Sequence, residues 1–230
     1  MANDFFTAFW NNRDNPQAKQ HSGEKMSMLY SQEINILLQK MDYEGGAVFE
    51  TGCADGALFE FLNINKVGYK GIDLSQSMVD IFKSKYPEIN ASAGDGSRIL
   101  SEERKYGLVF NTGVCQYFNP HEMRQYIIDA KNILNKNGII LLVNIPHTKD
   151  RYSYYSRYFS NKILSFKSRL AYIYLGLMSP LKIHEGPKTM GYWYSIDFFK
   201  TVAKELNLHL EIFGSINHPY RISIGLKKNS

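Results

Sequence analysis

The sequence predicts an α/β protein with a doubly wound, mostly parallel seven-stranded sheet, an antiparallel last hairpin and a helical cap. Three observations support this prediction. The run VFETGCADG at residues 48–56 is an apolar strand that leads into a carboxylate and a turn punctuated by glycines. A second strand ends in Asp73, about 20 residues beyond that turn. Apolar, β-prone runs then alternate with amphipathic helical segments as far as residue 206.

The N-terminal segment, residues 1–42, is predicted to be helical. Aromatic residues that include Phe9 and Trp10 indicate a short helix followed by a loop. Over residues 24–41 the apolar side chains, Tyr30 among them, recur at helical spacing. This pattern predicts an amphipathic helix that packs on the edge of the sheet.

Residues 43–146 are predicted to form the core of the sheet. After the first strand and its turn, residues 57–62 are expected to begin a helix whose N-terminus offers free backbone N–H groups. Ser75 is a candidate N-cap for a second helix over residues 76–86, which a proline ends. A short strand over residues 89–93 follows.

The second half of this core contains two further strands. Residues 106–111 are apolar and β-prone, as a buried parallel strand should be. Asn119 and the proline after it are predicted to open a helix that Asn137 and Gly138 close. The run IILLVNI at residues 139–145 is the most strand-like of the chain.

Residues 193–230 are predicted to complete the sheet. Ser195 is expected to cap a helix that runs to Leu206. Two closing strands are expected at residues 209–213 and 221–226.

Residues 147–192 are too many for a loop between the fifth strand and the last helix. Tyrosines and bases are interleaved here, and residues 147–188 contain eight Lys or Arg against two acids, enough to account for the net charge of +5. We predict a helical cap that binds a ring-bearing, anionic substrate. Three alternatives stay open: core tyrosines, a solvated basic face, and contact with an anionic lipid surface.

Composition limits the class of protein. The chain has 230 residues, 44% of them hydrophobic, which is enough for one domain with a sizeable core. No apolar run is long enough to span a membrane and the first residues lack a secretory signal, so a cytoplasmic location is expected. Cys53 and Cys115 form neither a disulfide framework nor a zinc pattern; we expect two buried thiols and no bound metal.

The motif at residues 48–56 resembles the first motif of the class I S-adenosylmethionine (SAM)-dependent methyltransferases, which reads acid-x-Gly-x-Gly-x-Gly. Ala54 stands where that motif has its middle glycine. The resemblance extends over residues 43–144. It implies a Rossmann-like methyltransferase fold, SAM as the cofactor and S-adenosylhomocysteine (SAH) as its product. It also suggests that Tyr30 and the aromatic residues before it form a lid, with plain packing as the alternative.

The resemblance assigns roles to residues at successive strand ends. Glu50 would orient the amino group of the methionine moiety, Asp73 the ribose hydroxyls and Asp95 the adenine amino group. For Asp95 an ordinary Asp-Gly turn is the alternative. The residues predicted to contact SAM are Glu50, Gly52, Cys53, Ala54, Gly56, Asp73, Leu74, Met78, Gly94, Asp95, Gly96, Asn111, Thr112 and Gly113.

Methyl transfer to a hydroxyl group requires a base that removes the hydroxyl proton. His147 lies just past the fifth strand and His184 lies in the cap; with Tyr117 they are the predicted catalytic residues. For each histidine a surface or packing role stays open. The predicted substrate-binding residues are Tyr152, Tyr155, Arg157, Arg169 and Trp193.

The end of the fourth strand bears on the acceptor. Residues 111–118 read NTGVCQYF, in place of the Asn/Asp-Pro-Pro-aromatic run typical of methyltransferases that act on nucleobase amines. The run is similar to small-molecule methyltransferases, some of which modify sugars. We therefore predict O- or N-methylation of a small anionic acceptor, such as a sugar phosphate, a nucleotide sugar or a phosphorylated metabolite, with polysaccharide biosynthesis as one setting.

Other functions stay open. An RNA methyltransferase would dock RNA on the basic cap, and its binding should weaken steeply with salt. A non-catalytic SAM-binding protein is a second alternative. An NAD enzyme is the least favoured, because a carboxylate at Glu50 would repel a pyrophosphate. Nucleic acid is thus not the expected partner, and the oligomeric state is left open.

Overall fold

The structure is a computed structural model that describes residues 24–99, 104–156, 166–177 and 191–228. Its strands are β1 (Val48–Thr51), β2 (Tyr69–Asp73), β3 (Ala91–Ala93), β4 (Tyr106–Thr112), β5 (Leu134–Pro146), β6 (Leu208–Gly214) and β7 (Arg221–Lys228). Its helices are α1 (Glu24–Lys40), α2 (Gln76–Lys85), α3 (Pro120–Ile133), α4 (Arg151–Ser156), α5 (Phe166–Leu177) and α6 (Ile196–Glu205).

The strands form one seven-stranded sheet in the order β3-β2-β1-β4-β5-β7-β6. Strands β1 to β5 are parallel, while β7 is antiparallel to both β5 and β6. The predicted α/β class, the seven strands and the antiparallel last hairpin are therefore confirmed.

The register brings the ends of the parallel strands to one edge of the sheet, here called the C-terminal edge. Thr51 at the end of β1 pairs with Ile72 of β2 and Asn111 of β4. Strand β7 begins at the same edge, because Arg221 pairs with Pro146. The chain order reverses between β1 and β4, and such a switch point leaves a crevice beyond the strand ends in which doubly wound proteins bind ligands.

Alternating residues of each strand feed two apolar cores on opposite faces of the sheet. Ile34 of α1 and Met41, which follows the helix, pack with Val48 and Leu108 on one face. Helices α3 and α6 cover the other face. Helix α1 thus packs over the central strands, and the expectation that it lies on the sheet edge is wrong. Close packing explains Gly225 of β7, where a Cβ would lie 2.4 Å from the Met41 sulfur.

The helix expected after the glycine turn does not form. Residues 57–62 contain only the 3-10 turn Phe59–Phe61. Side-chain hydrogen bonds compete with the helix here. The amide of Asn35 donates to Phe61 O and accepts from Asn63 N, and Asn65 Oδ1 accepts from two later backbone N–H groups. The site therefore lacks the helix N-terminus that the sequence suggested.

The junction after α3 also differs from the prediction. Helix α3 ends at Ile133 and β5 begins directly at Leu134, so Asn137 and Gly138 lie inside the strand and do not close the helix. Gly138 is required by crowding, because a Cβ there would lie 2.9 Å from Tyr106 O.

The predicted helix starts are confirmed. The hydroxyl oxygens of Ser75 and Ser195 accept from Met78 N and Phe198 N. Asn119 forms a reciprocal capping box with Glu122.

The described part of the predicted cap is helical. It consists of the 3-10 turn Thr148–Asp150 followed by α4 and α5. The domain boundaries themselves stay predictions. Phe9, Trp10, Arg157 and His184 lie outside the described residues. Within the described ranges, no helix is long and apolar enough to cross a membrane.

Candidate active site

The turn after β1 is left-handed at alternate positions. The φ angles are +78° at Gly52, +45° at Ala54 and +74° at Gly56. Glycine is needed at the two outer positions, since a Cβ on Gly52 would lie 2.2 Å from a Val114 methyl group and one on Gly56 would lie 2.2 Å from the Phe82 ring. Ala54 adopts the conformation that the middle glycine of the motif would adopt freely.

Asp73 fastens this turn to the end of β2. One carboxylate oxygen accepts from Ala54 N at 2.9 Å and the other accepts from Ser75 N at 2.8 Å. Burial raises the pKa of Asp73, and the two backbone hydrogen bonds oppose that shift. The carboxylate therefore holds Ala54 in place, whatever ligand it also meets.

Glu50 is buried at the end of β1, with 2% of its surface exposed. Tyr69 donates a hydrogen bond to Glu50 Oε2 at 2.5 Å. Burial raises the pKa of Glu50 to about 8, the Tyr69 hydrogen bond lowers it, and the charge of Asp73 raises it further. The adjacent thiol of Cys53 is also buried and its pKa is raised. Without a cationic partner, Glu50 is thus largely protonated at neutral pH.

Among the described residues, the ends of β3 and β4 leave open space. No atom of those residues lies within 4 Å of a Cβ built on Gly94 or on Gly113. Gly96 differs, because a Cβ there would lie 2.2 Å from the Thr51 methyl group. Asp95 is exposed and its carboxylate accepts from Ser97 N at 2.9 Å, which closes an Asx turn. Leu74 and Met78, the remaining predicted contacts on this side, are half-buried.

At the ends of β4 and β5, three buried polar atoms lack a hydrogen-bond partner among the residues that the structure describes. They are Asn111 Nδ2, Thr112 Oγ1 and Asn144 Oδ1. The oxygen of the same Asn111 amide is paired, because Cys115 Sγ donates to Asn111 Oδ1 at 3.0 Å. Buried polar groups are nearly always paired, so a cluster of exceptions at the C-terminal edge indicates groups that a ligand completes.

At the C-terminal edge, Arg221 of β7 joins β5 to the 3-10 turn Cys115–Tyr117 that follows β4. Its guanidinium donates to Asn144 O and, at 3.1 Å, to Gln116 Oε1. The Arg221 guanidinium also lies over the Tyr220 ring. The ring centroid of Tyr154 lies 4.7 Å from that of Tyr220 and 5.5 Å from that of Trp193. The Arg221 guanidinium and a cluster of aromatic rings therefore border the crevice.

Two of the predicted catalytic residues are described. His147 is mostly buried, and its Nδ1 lies 3.1 Å from Asp150 Oδ2. Tyr117 is half-buried in the 3-10 turn Cys115–Tyr117, where its N–H donates to Val114 O.

The predicted substrate-binding residues do not share one environment. Tyr155 and Trp193 are buried against each other, with ring centroids 5.8 Å apart. Tyr152 is 57% exposed. Arg169 lies on α5 and its buried Nε has no hydrogen-bond partner among the described residues.

Sequence reasoning assigned no ligand role to Asn144, Arg221, Gln116 or His218. The Tyr30 hydroxyl lies 2.6 Å from His218 Nε2, although the two residues are 188 positions apart. The topology offered a signal for His218 and Arg221, because residues at the start of the last strand must lie at the same edge as the ends of the parallel strands.

Residues 48–138 match the family model described as a methyltransferase domain. Over these residues, which include β1 to β4, the chain is similar to methyltransferases. No curated protein matches the sequence.

Solved structures of methyltransferases share the fold of this chain at low sequence identity. Magnesium protoporphyrin IX methyltransferase from Synechocystis PCC 6803, with bound SAH, has a TM-score of 0.65 and 13% identity over 100% of both chains. A SAM-dependent methyltransferase from Clostridium acetobutylicum ATCC 824 has a TM-score of 0.63 and 14% identity over 99% of each chain. The plantazolicin methyltransferase BpumL, with SAH, has a TM-score of 0.65 and 11% identity, covering 100% of this chain and 97% of its own.

The C-terminal edge fits SAM, the cofactor that the sequence resemblance implies. Open space at Gly94 and Gly113 leaves room for a ligand against the backbone. The unpaired Thr112 Oγ1 can hydrogen-bond a polar ligand, whereas the Asn111 amide lies close enough to Tyr126 to lower its pKa by hydrogen bonding. Among the described residues, no group of three His, Cys, Asp or Glu side chains could hold a metal ion.

Proposed function

We propose that this methyltransferase transfers the methyl group of SAM to an oxygen or nitrogen atom of a small, anionic acceptor. The observation that carries the proposal is the open C-terminal edge between β1 and β4, where unpaired buried polar atoms lie beside the left-handed glycine turn. SAM supplies a methyl group on a positively charged sulfur, so the protein's task is to position the reactants and exclude water.

We propose that the ends of β1, β2 and β3 hold successive parts of the cofactor. Glu50 ionises when the cationic amino group of the methionine moiety arrives, because that charge replaces the missing partner in the buried site. Asp73 meets the ribose hydroxyls while it still holds Ala54, and Asp95 meets the adenine amino group. Gly113 and the side chains of Asn111 and Thr112 lie beside the methyl group that the cofactor transfers.

An anionic acceptor with a ring suits the surroundings of the crevice. Arg221 supplies positive charge at its border, and the half-buried rings of Tyr154 and Tyr220 supply aromatic surface. The basic segment at residues 147–188 adds positive charge, and it directly follows β5, which ends at the C-terminal edge. Sugar phosphates and nucleotide sugars remain our first candidates. The similar structures named for magnesium protoporphyrin IX and plantazolicin show that this fold accepts very different acceptors.

His147 is the sequence-derived candidate for the base, because Asp150 can fix its ring orientation. RNA methylation and SAM binding without catalysis are the competing functions. RNA docking would rest on the positive charge of the cap.

The proposal is tested in two steps. Calorimetry should detect binding of SAM and SAH and none of NAD. Separate incubations with methyl-labelled SAM and either a small-molecule cell extract or total RNA should then label a phosphate- or carboxylate-bearing small molecule and leave the RNA unlabelled. Label that appears only in RNA would favour RNA methylation. SAM binding without any label would favour SAM binding without catalysis.

Glu50→Gln is the sharpest variant for the first step. It keeps an oxygen for the Tyr69 hydrogen bond but cannot ionise, so SAM affinity should fall about tenfold or more, which corresponds to about 1.4 kcal/mol. Glu88→Gln, on the exposed surface, is the matched control and should bind SAM as the wild type does.

A further inference from the structure

Tyr30 of α1 and His218 of the β6–β7 loop form a hydrogen-bonded pair beside the C-terminal edge. The Tyr30 hydroxyl lies 2.6 Å from His218 Nε2 and the ring centroids are 5.7 Å apart. Only 9% of Tyr30 is exposed. The loop reaches this edge because β7 starts at Arg221, which pairs with the end of β5.

Glu33 fixes the loop in this position. It is 1% exposed and lies one helical turn after Tyr30. Its carboxylate accepts from Ser215 Oγ and Ile216 N, both at 3.2 Å, and from Asn217 Nδ2 at 2.7 Å. A buried carboxylate with three donors is a built feature of the fold, and it sets the distance between Tyr30 and His218.

Asn144 connects the pair to the crevice. It lies just beyond Val143, whose carbonyl accepts from Gly113 N. Its φ of +70° is a costly conformation for a residue other than glycine, and such conformations cluster at functional sites. Its amide lowers the pKa of Tyr30 by hydrogen bonding, while its buried Oδ1 has no partner. The Asn144 amide thus hydrogen-bonds Tyr30, while its oxygen, Oδ1, has no donor among the described residues.

We infer that Tyr30 and His218 together remove the proton from an acceptor hydroxyl that binds beside Asn144 and donates its hydrogen bond to Tyr30 Oη. The inference rests on the proposed function and narrows it to O-methylation of an alcohol or phenol. It also assigns the base to His218 in preference to His147. His147 already has a structural role, since its backbone N–H donates to Tyr220 O, its carbonyl accepts from Asp150 N, and its ring pairs with Asp150 at the start of the cap.

The proposed step balances in bonds, protons and charge. The acceptor oxygen bonds to the methyl carbon, and the carbon–sulfur bond breaks with its electron pair left on sulfur. The hydroxyl proton moves to Tyr30 Oη as the proton of Tyr30 moves to His218 Nε2. The positive charge lost by the sulfonium therefore reappears on the His218 imidazolium, which releases its proton to solvent.

Tyr30 acts as the relay and His218 as the group that titrates. Burial raises the pKa of Tyr30, with smaller effects from the charges of Arg221, Tyr220 and Glu33, so the hydroxyl stays protonated near neutral pH. His218 faces the Tyr30 hydroxyl, the Tyr220 ring and the loop that Glu33 holds. The reaction should therefore require neutral His218 and should slow as pH falls through its pKa.

The test uses the extract assay with labelled SAM, followed over pH for the wild type, His218→Gln and Tyr30→Phe. We expect kcat to fall by about 10²-fold or more in His218→Gln, with loss of the acid limb of the pH profile and unchanged SAM affinity. Tyr30→Phe should also lower kcat. His209→Gln and Tyr43→Phe, which change the same residue types away from this edge, are the controls.

A second measurement does not depend on turnover. In the SAH-bound protein, the NMR titration of the His218 ring should give the pKa seen in the acid limb, and Tyr30→Phe should shift it. The inference is overturned if His218→Gln keeps kcat within about threefold and retains the acid limb, if the limb follows His147, or if the labelled group is a carboxylate. Absent SAM binding in the wild type would instead remove the proposed function itself.

Discussion

Ala54 holds a backbone conformation that costs an L-residue free energy. Its φ of +45° is maintained by the hydrogen bond from its N–H to Asp73. We expect Ala54→Gly to raise the free energy of unfolding by up to about 1 kcal/mol, because glycine adopts this region freely. Urea denaturation measures the change.

Ala93→Gly is the matched control for this substitution. Ala93 is an exposed residue of β3 and has no left-handed φ. Glycine should lower stability there by about 0.5–1 kcal/mol, since it is the more flexible residue in the unfolded chain. Equal losses in the two variants would show that Ala54 is unstrained.

Glu50 should make the ligand-free protein less stable as pH rises. Its pKa is raised from 4.5 to about 8, so between these values the native state binds a proton that the unfolded state has lost. The contribution is fully present below pH 4.5 and is lost as pH approaches about 8. For one proton the slope reaches about 1.4 kcal/mol per pH unit.

Denaturation of wild type and Glu50→Gln across this pH range isolates the effect. The variant should show a shallower fall, because the amide has no proton to lose. Asp73 contributes a fall of the same sign, since burial also raises its pKa, so some slope should survive. Parallel curves for the two proteins would mean that Glu50 is ionised in the free protein.

At the level of elements, the contact between α1 and the β6–β7 loop depends on one carboxylate. Glu33→Ala leaves three loop donors without their acceptor in a buried place. We expect a loss of about 2–4 kcal/mol in denaturation experiments and faster hydrogen exchange of the loop amides. Glu33→Gln should lose less, because it retains an acceptor oxygen.

Glu205→Ala supplies the control. Glu205 pairs with Arg124 at 3.0 Å, but both side chains are nearly half exposed. A surface pair of this kind contributes about 0–1 kcal/mol, so its removal should change stability little. A loss at Glu33 no larger than at Glu205 would contradict the role given to the buried carboxylate.

Elements were predictable from sequence where the signal is local. Ser75, Asn119 and Ser195 begin helices because each side chain caps its own first turn. The helix after the glycine turn was wrong because Asn35, on a different element, takes up the backbone groups of that segment. Local apolar spacing contains no information about such a partner.

The same distinction applies to the site. The glycine turn, Glu50 and Asp73 lie near strand ends that the sequence pattern locates, so their proximity followed from a parallel sheet. The Tyr30–His218 pair joins residues 188 positions apart, and only the packing of α1 over the sheet brings them together. The unpaired Asn144 Oδ1 likewise becomes visible only when every neighbour is in place.

For the whole molecule, the crevice couples cofactor binding to stability. The turn after β1 and the end of β2 are already fastened by Asp73, so a ligand at this edge binds the folded state and not the unfolded chain. SAH at about 100 times its Kd should therefore stabilise the protein by about 2.7 kcal/mol. NAD at the same concentration should not change the melting temperature.

Asp73→Asn tests whether this stabilisation depends on the carboxylate. The amide can still accept from Ala54 N or Ser75 N, but it cannot accept from both, and it places a donor where the ribose hydroxyls would bind. We expect a weaker shift with SAH and a modest loss of stability without it. Asp80→Asn, an exposed change on α2, should behave as the wild type in both measurements. An undiminished SAH shift in Asp73→Asn would place the ribose away from β2, and the order of cofactor contacts along the strand ends would have to be reassigned.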